Sequence, residues 1–480
     1  MPPPPEGFGP PQAPPTGGGG GRRRAAAVVA SVVALALAAA GGAWYVASSG
    51  DDEDGGGKGE RKKPAAAKPQ ETVPKNPEAT FHGGAPVPKL PKKESTWPVG
   101  GSWLTDKVYV KSSVSKVIGL DAGTGKKRWA FDKPGQSCAG SPEVGAGGIA
   151  VVVTAPTPHD DRGFRAPCTQ ITAFKVDTGD KLWTKSVTIG YQKDKAEFNQ
   201  AAISGNTVAV GGIRGGAAFD LRTGALRWKP RAGAKCWDVG YGGGERLVAV
   251  RACGDIVRPS YRIQLLDPTS GKPRWSHRLP EGVRGPNVIS TKPVVIGLDS
   301  GEISDSGASD VFSLDERGKL RARITLEDRR YLHDCDTASI VNDCIGIVVG
   351  NGRLYVPTAR RDAPDGISSL NDIVVFSLAT GKMTGQRVSS GAGGSPMFPL
   401  RMDGPNILAY RSRLGTQVLS LDGRTLKPTT LLTTKKSASA IPPLMSEVRY
   451  GHGRLYVSTD LVSKPYSKRP QPMMIVFARE

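Results

Sequence analysis

The stretch DAGTGKKRW, residues 121–129, returns in close variants along the chain: DTGDKLW at 177–183, DLRTGALRW at 220–228 and DPTSGKPRW at 267–275. Aligned on the glycine, the copies fall at Gly125, Gly179, Gly224, Gly271 and Gly318, with a degraded copy at Gly381. The steps are 54, 45, 47, 47 and 63 residues. A motif that returns at an interval near fifty, among strand-like sequence, requires a repeated unit: a propeller or a solenoid.

Each motif follows a short apolar run: VIGL, ITAF, GAAF, IQLL, VFSL, IVVF. It therefore joins two strands. Asp121, Asp177, Asp220 and Asp267 can close the turn by bonding local backbone groups, and Gly125, Gly179, Gly224 and Gly271 supply the positive φ. The tryptophans, Trp129, Trp183, Trp228 and Trp275, then stand early on the second strand, where a ring can pack between neighbouring sheets. A second apolar element precedes each motif, as in KVYVKS at 107, NTVAVGG at 206 and GRLYVST at 453, and it occurs eight times. The predicted fold is all-β, an eight-bladed β-propeller of four-stranded blades over residues 94–480. The final apolar run at 473–479 lacks a following strand. The segment ESTWPVG at 94–100, with Trp97 at the packing position, is expected to complete that blade and cover its exposed edge.

GLDAGTGKKRW and LLDPTSGKPRW resemble the pyrroloquinoline-quinone-type propeller repeat. That family includes quinoprotein alcohol dehydrogenases, the propeller lipoprotein of the outer-membrane β-barrel assembly machinery, and sensor domains of bacterial membrane kinases. The resemblance implies the propeller fold but not one activity, because one fold hosts unrelated functions. Fidelity is uneven: Ala322 and Gly385 stand where the tryptophan is expected, and SLDGRTLKP at 420–428 is a rough seventh copy.

A quinone dehydrogenase of this family would imply bound calcium, an aspartate base, a stacking platform and, in many members, two adjacent cysteines. The sequence has no Cys-Cys pair and no haem-attachment motif, so no catalytic, cofactor or metal residue carries over. No cofactor is expected, and pyrroloquinoline quinone with calcium is the alternative. None of His82, His159, His277, His333 and His452 stands at zinc spacing. The short clusters at 159–161 and 333–336 and the acidic stretch at 299–310 read as solvated loops; the last lacks the order of an EF-hand.

The first hundred residues differ in kind. Residues 1–24 are Pro/Gly-rich and end in Arg22, Arg23 and Arg24, a composition that forms no core. The 23 uncharged residues from Ala25 to Ala47 follow, long enough as a helix to cross a hydrocarbon layer of about 30 Å. Trp44 and Tyr45 mark an interface, and the three arginines favour a cytoplasmic N-terminus. A cleaved signal peptide is the competing reading. Residues 48–93 read as a disordered linker. The expected location is thus the plasma membrane, single-pass, with the propeller extracytoplasmic.

That location suits the six cysteines, Cys138, Cys168, Cys236, Cys253, Cys335 and Cys344. An even count in an exported domain argues for disulfides, with fifteen pairings possible; sequential pairing would close short loops. The net charge of +21 leaves +18 on residues 97–480. No nucleic-acid motif accompanies it, so the expected partner is an envelope protein or an anionic polymer and not a nucleic acid. Strand order places the long connections at 154–168, 299–310, 327–344, 357–372 and 458–472 on one face. Long loops on a rigid scaffold are where binding lives, so the expected function is that of a binding or scaffold module without catalysis. A quinone-dependent oxidoreductase and a sensor acting with a separate signalling partner are the alternatives.

Overall fold

The computed structural model describes residues 71–479, apart from 190–193, 301–306, 327–328, 336–339, 365, 367–368, 392–395, 413–414, 436–445 and 465–471. The segment 1–24, the apolar span from Ala25 to Ala47 and the linker up to residue 70 lie outside the described residues. Among the described residues all regular structure is strand, and no helix is long and apolar enough to cross a membrane.

The strands form antiparallel four-stranded meanders. Six are separate sheets; a further eight-stranded sheet divides into two such groups. The first unit is Ser102–Leu104, Val108–Ser112, Lys116–Asp121 and Lys127–Asp132; the second is Ser137–Gly140, Ile149–Thr154, Gln170–Lys175 and Lys181–Lys185. The third and fourth begin at Gln200–Ser204 and Cys236–Gly242, the fifth and sixth at Arg284–Thr291 and Val348–Gly350, and the seventh at Met397–Asp403. Burial declines outward within a unit. Ile149–Thr154 is buried throughout, as a β-branched strand with apolar layers on both sides must be, whereas Lys127–Asp132 alternates between exposed and half-buried residues. The apolar clusters lie between consecutive units, for example Val151, Ile171 and Trp183 with Val208, Phe219 and Leu221. This architecture is consistent with a β-propeller.

The repeated motif is explained by its contacts. Asp220 Oδ1 accepts from the amides of Arg222 and Thr223 and from the Thr223 hydroxyl, and Gly224 N donates to the Asp220 carbonyl at 2.9 Å. Asp121 and Asp267 repeat this pattern. The residue before the tryptophan is bulged out of the ladder: Phe219 pairs with Leu226 and Ala218 with Trp228, leaving Arg227 extra. Its guanidinium turns back to Asp220 Oδ2 at 2.9 Å, as Arg274 does to Asp267. These bonds hold the Asp220 carboxyl down at about 2, the Thr223 amide being the leading cause. The glycine has a second duty. Gly179, Gly224, Gly271 and Gly318 have φ of 68–77°, and each lies under the tryptophan of the preceding unit: Trp129, Trp183, Trp228 and Trp275.

Two sequence readings need correction. Asp177 is not the capping residue of its turn. Gly179 N donates to the Lys175 carbonyl, so Lys175 holds that position, and Asp177 instead accepts from Thr105 Oγ1 of the first unit at 2.6 Å. The segment at 94–100 does not complete the last unit. That unit is Glu447–Gly451, Arg454–Ser458, Met474–Arg479 and Glu78–Ala85; the closing strand comes from within the predicted linker, antiparallel to Met474–Arg479, and its first residues pair in parallel with Thr433 and Thr434. The sequence EATFHGGA hides it because only Ala79 is buried: backbone ladder bonds hold it, and they need no apolar pattern. Trp97 is nonetheless fully buried, on a short strand, Thr96–Pro98, that pairs with Leu461–Ser463.

Three disulfides join Cys138 to Cys168, Cys236 to Cys253 and Cys335 to Cys344.

Candidate functional site

Alternate connections of a meander lie at opposite ends. The turns from first to second and from third to fourth strands are short, such as 105–107, 205–206 and 404–405, and 122–126 and 221–225. The connections from second to third strands and between units carry the length: 155–169, 300–309, 326–347 and 358–371. One face is therefore loop-rich and the other is tight-turned.

On the loop-rich side a cavity of about 460 Å³ lies among the innermost strands, lined by residues including Ser102, Gly140, Gln200, Leu400, Glu447 and Arg449. The connection between the fifth and sixth units reaches into it. Asn342 Nδ2 donates to the Ala201 carbonyl at 3.0 Å, and Val288 N donates to the Val341 carbonyl at 2.6 Å. The Cys335–Cys344 bond closes the base of this connection.

Behind the cavity-lining Glu447 and Arg449 the seam between the first and last units is polar. Lys111, 2% exposed, donates to Glu447 Oε2 at 2.6 Å and to the Val99 carbonyl at 2.7 Å. Glu447 Oε1 accepts from Gly101 N at 2.7 Å. Burial alone would raise the Glu447 carboxyl; Lys111 and Arg449 outweigh it and hold it below the ordinary range. Tyr109 stacks on Tyr456 at 4.2 Å, and its hydroxyl bonds Ser458. Among the described residues Lys133, also buried, donates to the carbonyls of Gly135 and Val114, at 2.8 and 3.2 Å. Burial, with Lys111 nearby, pushes it down to about 7.

At the rim, the 155–169 connection folds onto the segment before Trp97. Glu94 receives Arg165 and His159, the latter at 3.0 Å, and Arg165 lies over the Trp97 ring at 5.4 Å. Asp160 accepts from the amides of Arg162 and Phe164. Exposed apolar side chains stand on successive connections of this face: Phe164, Ile213, Ile256 and Val257. No sequence pattern marked them, because each of these loops carries only one or two such residues among polar ones.

Several described members of the acidic clusters noted in the sequence are engaged. Asp310 accepts from Arg323 at 2.6 and 2.9 Å, Asp299 pairs with Arg284 at 3.2 Å, and His333 Nε2 bonds the Ala308 carbonyl at 2.9 Å. Among the described residues no three of His, Cys, Asp and Glu converge as metal ligands. A quinone with calcium needs carboxylate oxygens free to ligate and a flat platform to stack on. Of the cavity's three carboxylates, Glu447 has both oxygens taken, and Asp343 and Asp460 line the wall without a third ligating side chain converging on them among the described residues. Phe398 is the one aromatic residue lining the cavity among those described, so the stacking platform and the ligand cluster that group needs are not assembled there.

Residues 84–235 match the family model described as outer membrane protein assembly factor BamB. Over that stretch the quinone-type repeat read from the sequence is shown. Solved structures with similarity include BamB from Moraxella catarrhalis, at 14% identity over 80% of this chain and 96% of that one, with a TM-score of 0.44. Quinohemoprotein alcohol dehydrogenase from Comamonas testosteroni matches at 13% identity over 80% of this chain and 75% of that one, also with a TM-score of 0.44. No curated protein matches the chain by sequence.

Proposed function

We propose that this chain is a membrane-anchored, extracytoplasmic binding or scaffold module: a closed eight-bladed propeller that engages an envelope partner through its loop-rich face and performs no quinone chemistry. The observation that carries the reading is the unequal division of the connections. The long ones, and the exposed Phe164, Ile213, Ile256 and Val257, share one face, and exposed apolar and aromatic side chains on rigid loops are what a protein interface buries. The match of residues 84–235 to an assembly-factor family supports a scaffold role over catalysis.

The test has two arms. A photo-crosslinking residue at Ile213 or Val257 should join the chain to a partner in intact envelopes, while the same residue at Thr124 or Thr269, on the tight-turn face, should not capture that partner. Crosslinking of the partner only from the tight-turn face overturns the reading. In the second arm the purified protein is mixed with pyrroloquinoline quinone and calcium. Micromolar binding with dye reduction in the presence of alcohols or sugars would establish the oxidoreductase instead.

A further inference from the structure

We infer that the tight-turn face docks on an anionic lipid bilayer, so that the loop-rich face points away from the membrane. This rests on the anchored reading proposed above and adds to it an orientation and a surface.

The first observation is where the chain joins the fold. The Glu71 carboxylate binds Arg401 at 2.8 Å and accepts from His452 N at 3.3 Å, while Glu71 N donates to Asp403 Oδ2 at 2.8 Å. Asp403 and His452 sit at the short turns between first and second strands of the last two units. The N-terminal segment therefore leaves from the tight-turn face. Between the predicted span and Glu71 lie residues 48–70, 23 in all; a linker of that length, as expected from the sequence, would have a root-mean-square reach of about 26 Å. That favours an orientation with the face it leaves from turned toward the bilayer.

The second observation is charge. The hairpin turns on this face present exposed Lys126, Arg222, Lys272, Arg317, Lys319, Lys382, Arg424 and Lys427. The carboxylates in the same turns are tied back to the backbone: Asp121, Asp220, Asp267 and Asp422 each accept from their own turn's amides and hydroxyl. Of the other described acids on this face, Asp315 accepts from its own turn's amides, Glu143 from Ile203 N and Asp177 from Thr105. Glu316 is held by Arg246 and Glu245 by Lys292, and Asp106 faces His452 at 3.4 Å. The second unit's turn is the exception, with an exposed Asp180 bonded to Thr178. Cations are thus carried outward by the repeat itself, and an anionic headgroup layer is the complement of such a surface. Apart from the eight-residue connection at 141–148, the described turns of this face are two to six residues long, so most of it can approach a plane.

The experiment uses the full chain reconstituted in vesicles of phosphatidylcholine alone or with one-third phosphatidylglycerol. Amine acylation read by mass spectrometry compares Lys126, Lys272, Lys319 and Lys427 with Lys195, Lys235 and Lys464 on the opposite side. Anionic vesicles should slow the first set by about fivefold, leave the second unchanged, and lose the effect in molar salt. Combining Lys126→Glu, Lys272→Glu and Lys319→Glu should abolish the protection of Lys427, with near-UV circular dichroism confirming the fold; glutamine at the same positions serves if the acidic variant does not fold. Equal labelling on both lipids, or protection of the opposite set, overturns the inference. So does protection by soluble polyphosphate without protection by vesicles, which would make the ligand an anionic polymer. Flotation with neutral vesicles in molar salt reads the anchor separately, so its loss would remove the anchored reading without altering the lysine comparison on anionic vesicles.

Discussion

Trp183 covers Gly224 so closely that a methyl group on the glycine would stand 2.8 Å from the indole carbons Cγ and Cδ2. The indole N–H at the same time donates to the Leu221 carbonyl at 3.0 Å. One residue pair thus fixes both the turn of the third unit and its distance from the second.

Gly224→Ala should destabilise the protein by about 3 kcal/mol, combining left-handed backbone strain with overpacking. Gly205→Ala is the control: its φ is 58° but no atom lies within contact distance of the added methyl, so only the backbone part, about 1–2 kcal/mol, should appear. Urea unfolding midpoints at constant slope distinguish the two. Equal losses would mean that the ring does not constrain Gly224.

Removing one partner of the Lys111–Glu447 pair strands the other in the wall between the first and last units. Lys111→Met should cost about 3–5 kcal/mol, and adding Glu447→Leu should recover part of that loss. A double-mutant cycle in thermal unfolding tests it; strict additivity would show that the two side chains do not interact.

Lys133 gives the pH dependence a defined sign. Its folded value is pushed down to about 7 from an ordinary 10.5. Between those values the unfolded chain holds a proton that the folded chain has released, so this group makes stability rise with pH across that window. Below pH 7 both states are charged and the cost of burying the charge is complete. Lys133→Met should therefore stabilise by about 2 kcal/mol at pH 6, and the gain should shrink toward pH 10. A gain that is constant with pH would show that the lysine is not the titrating group.

Opening the Cys138–Cys168 bond by a double substitution to serine should cost about 3.6 kcal/mol, and the shorter Cys236–Cys253 loop about 3 kcal/mol, in the chain-entropy description. Chemical denaturation of the oxidised single-bond variants measures both. A loss under 1 kcal/mol for either would show that the bond does not constrain the unfolded chain in that way.

Truncation to residue 86 removes Glu78–Ala85 and bares the edge of Met474–Arg479. The shortened chain should form concentration-dependent aggregates, seen by light scattering, because an unpaired apolar edge is a template for pairing. A monodisperse product would show that the edge is protected in another way.

The repeat was legible because Asp, Gly and Trp serve local geometry: a turn, a positive φ and a ring that needs space. Where the pattern decays, the reason is also local. At the position of the turn glycine in the seventh unit stands Leu426, buried at φ 59° among Ile373, Val375 and Leu421. The sixth unit has Gly385 where a tryptophan would stand, so the leucine fills from one side the space an indole fills from the other. The closing strand was not legible, since its backbone carries the pairing, and neither was the role of Asp177, whose partner Thr105 lies 72 positions away. The loop-rich face followed from strand order alone, but its exposed Phe164 and Ile213 became visible only when separate connections were brought to one side.

The last unit takes its outermost strand from residues 78–85 and its neighbour from residues 474–479. Nothing that emerges in between can complete that pairing. During synthesis or export the first strand therefore meets Thr433 and Thr434 only after about 350 intervening residues, and its antiparallel neighbour later still. Until residues 474–479 have emerged, that early segment has to be kept from pairing elsewhere.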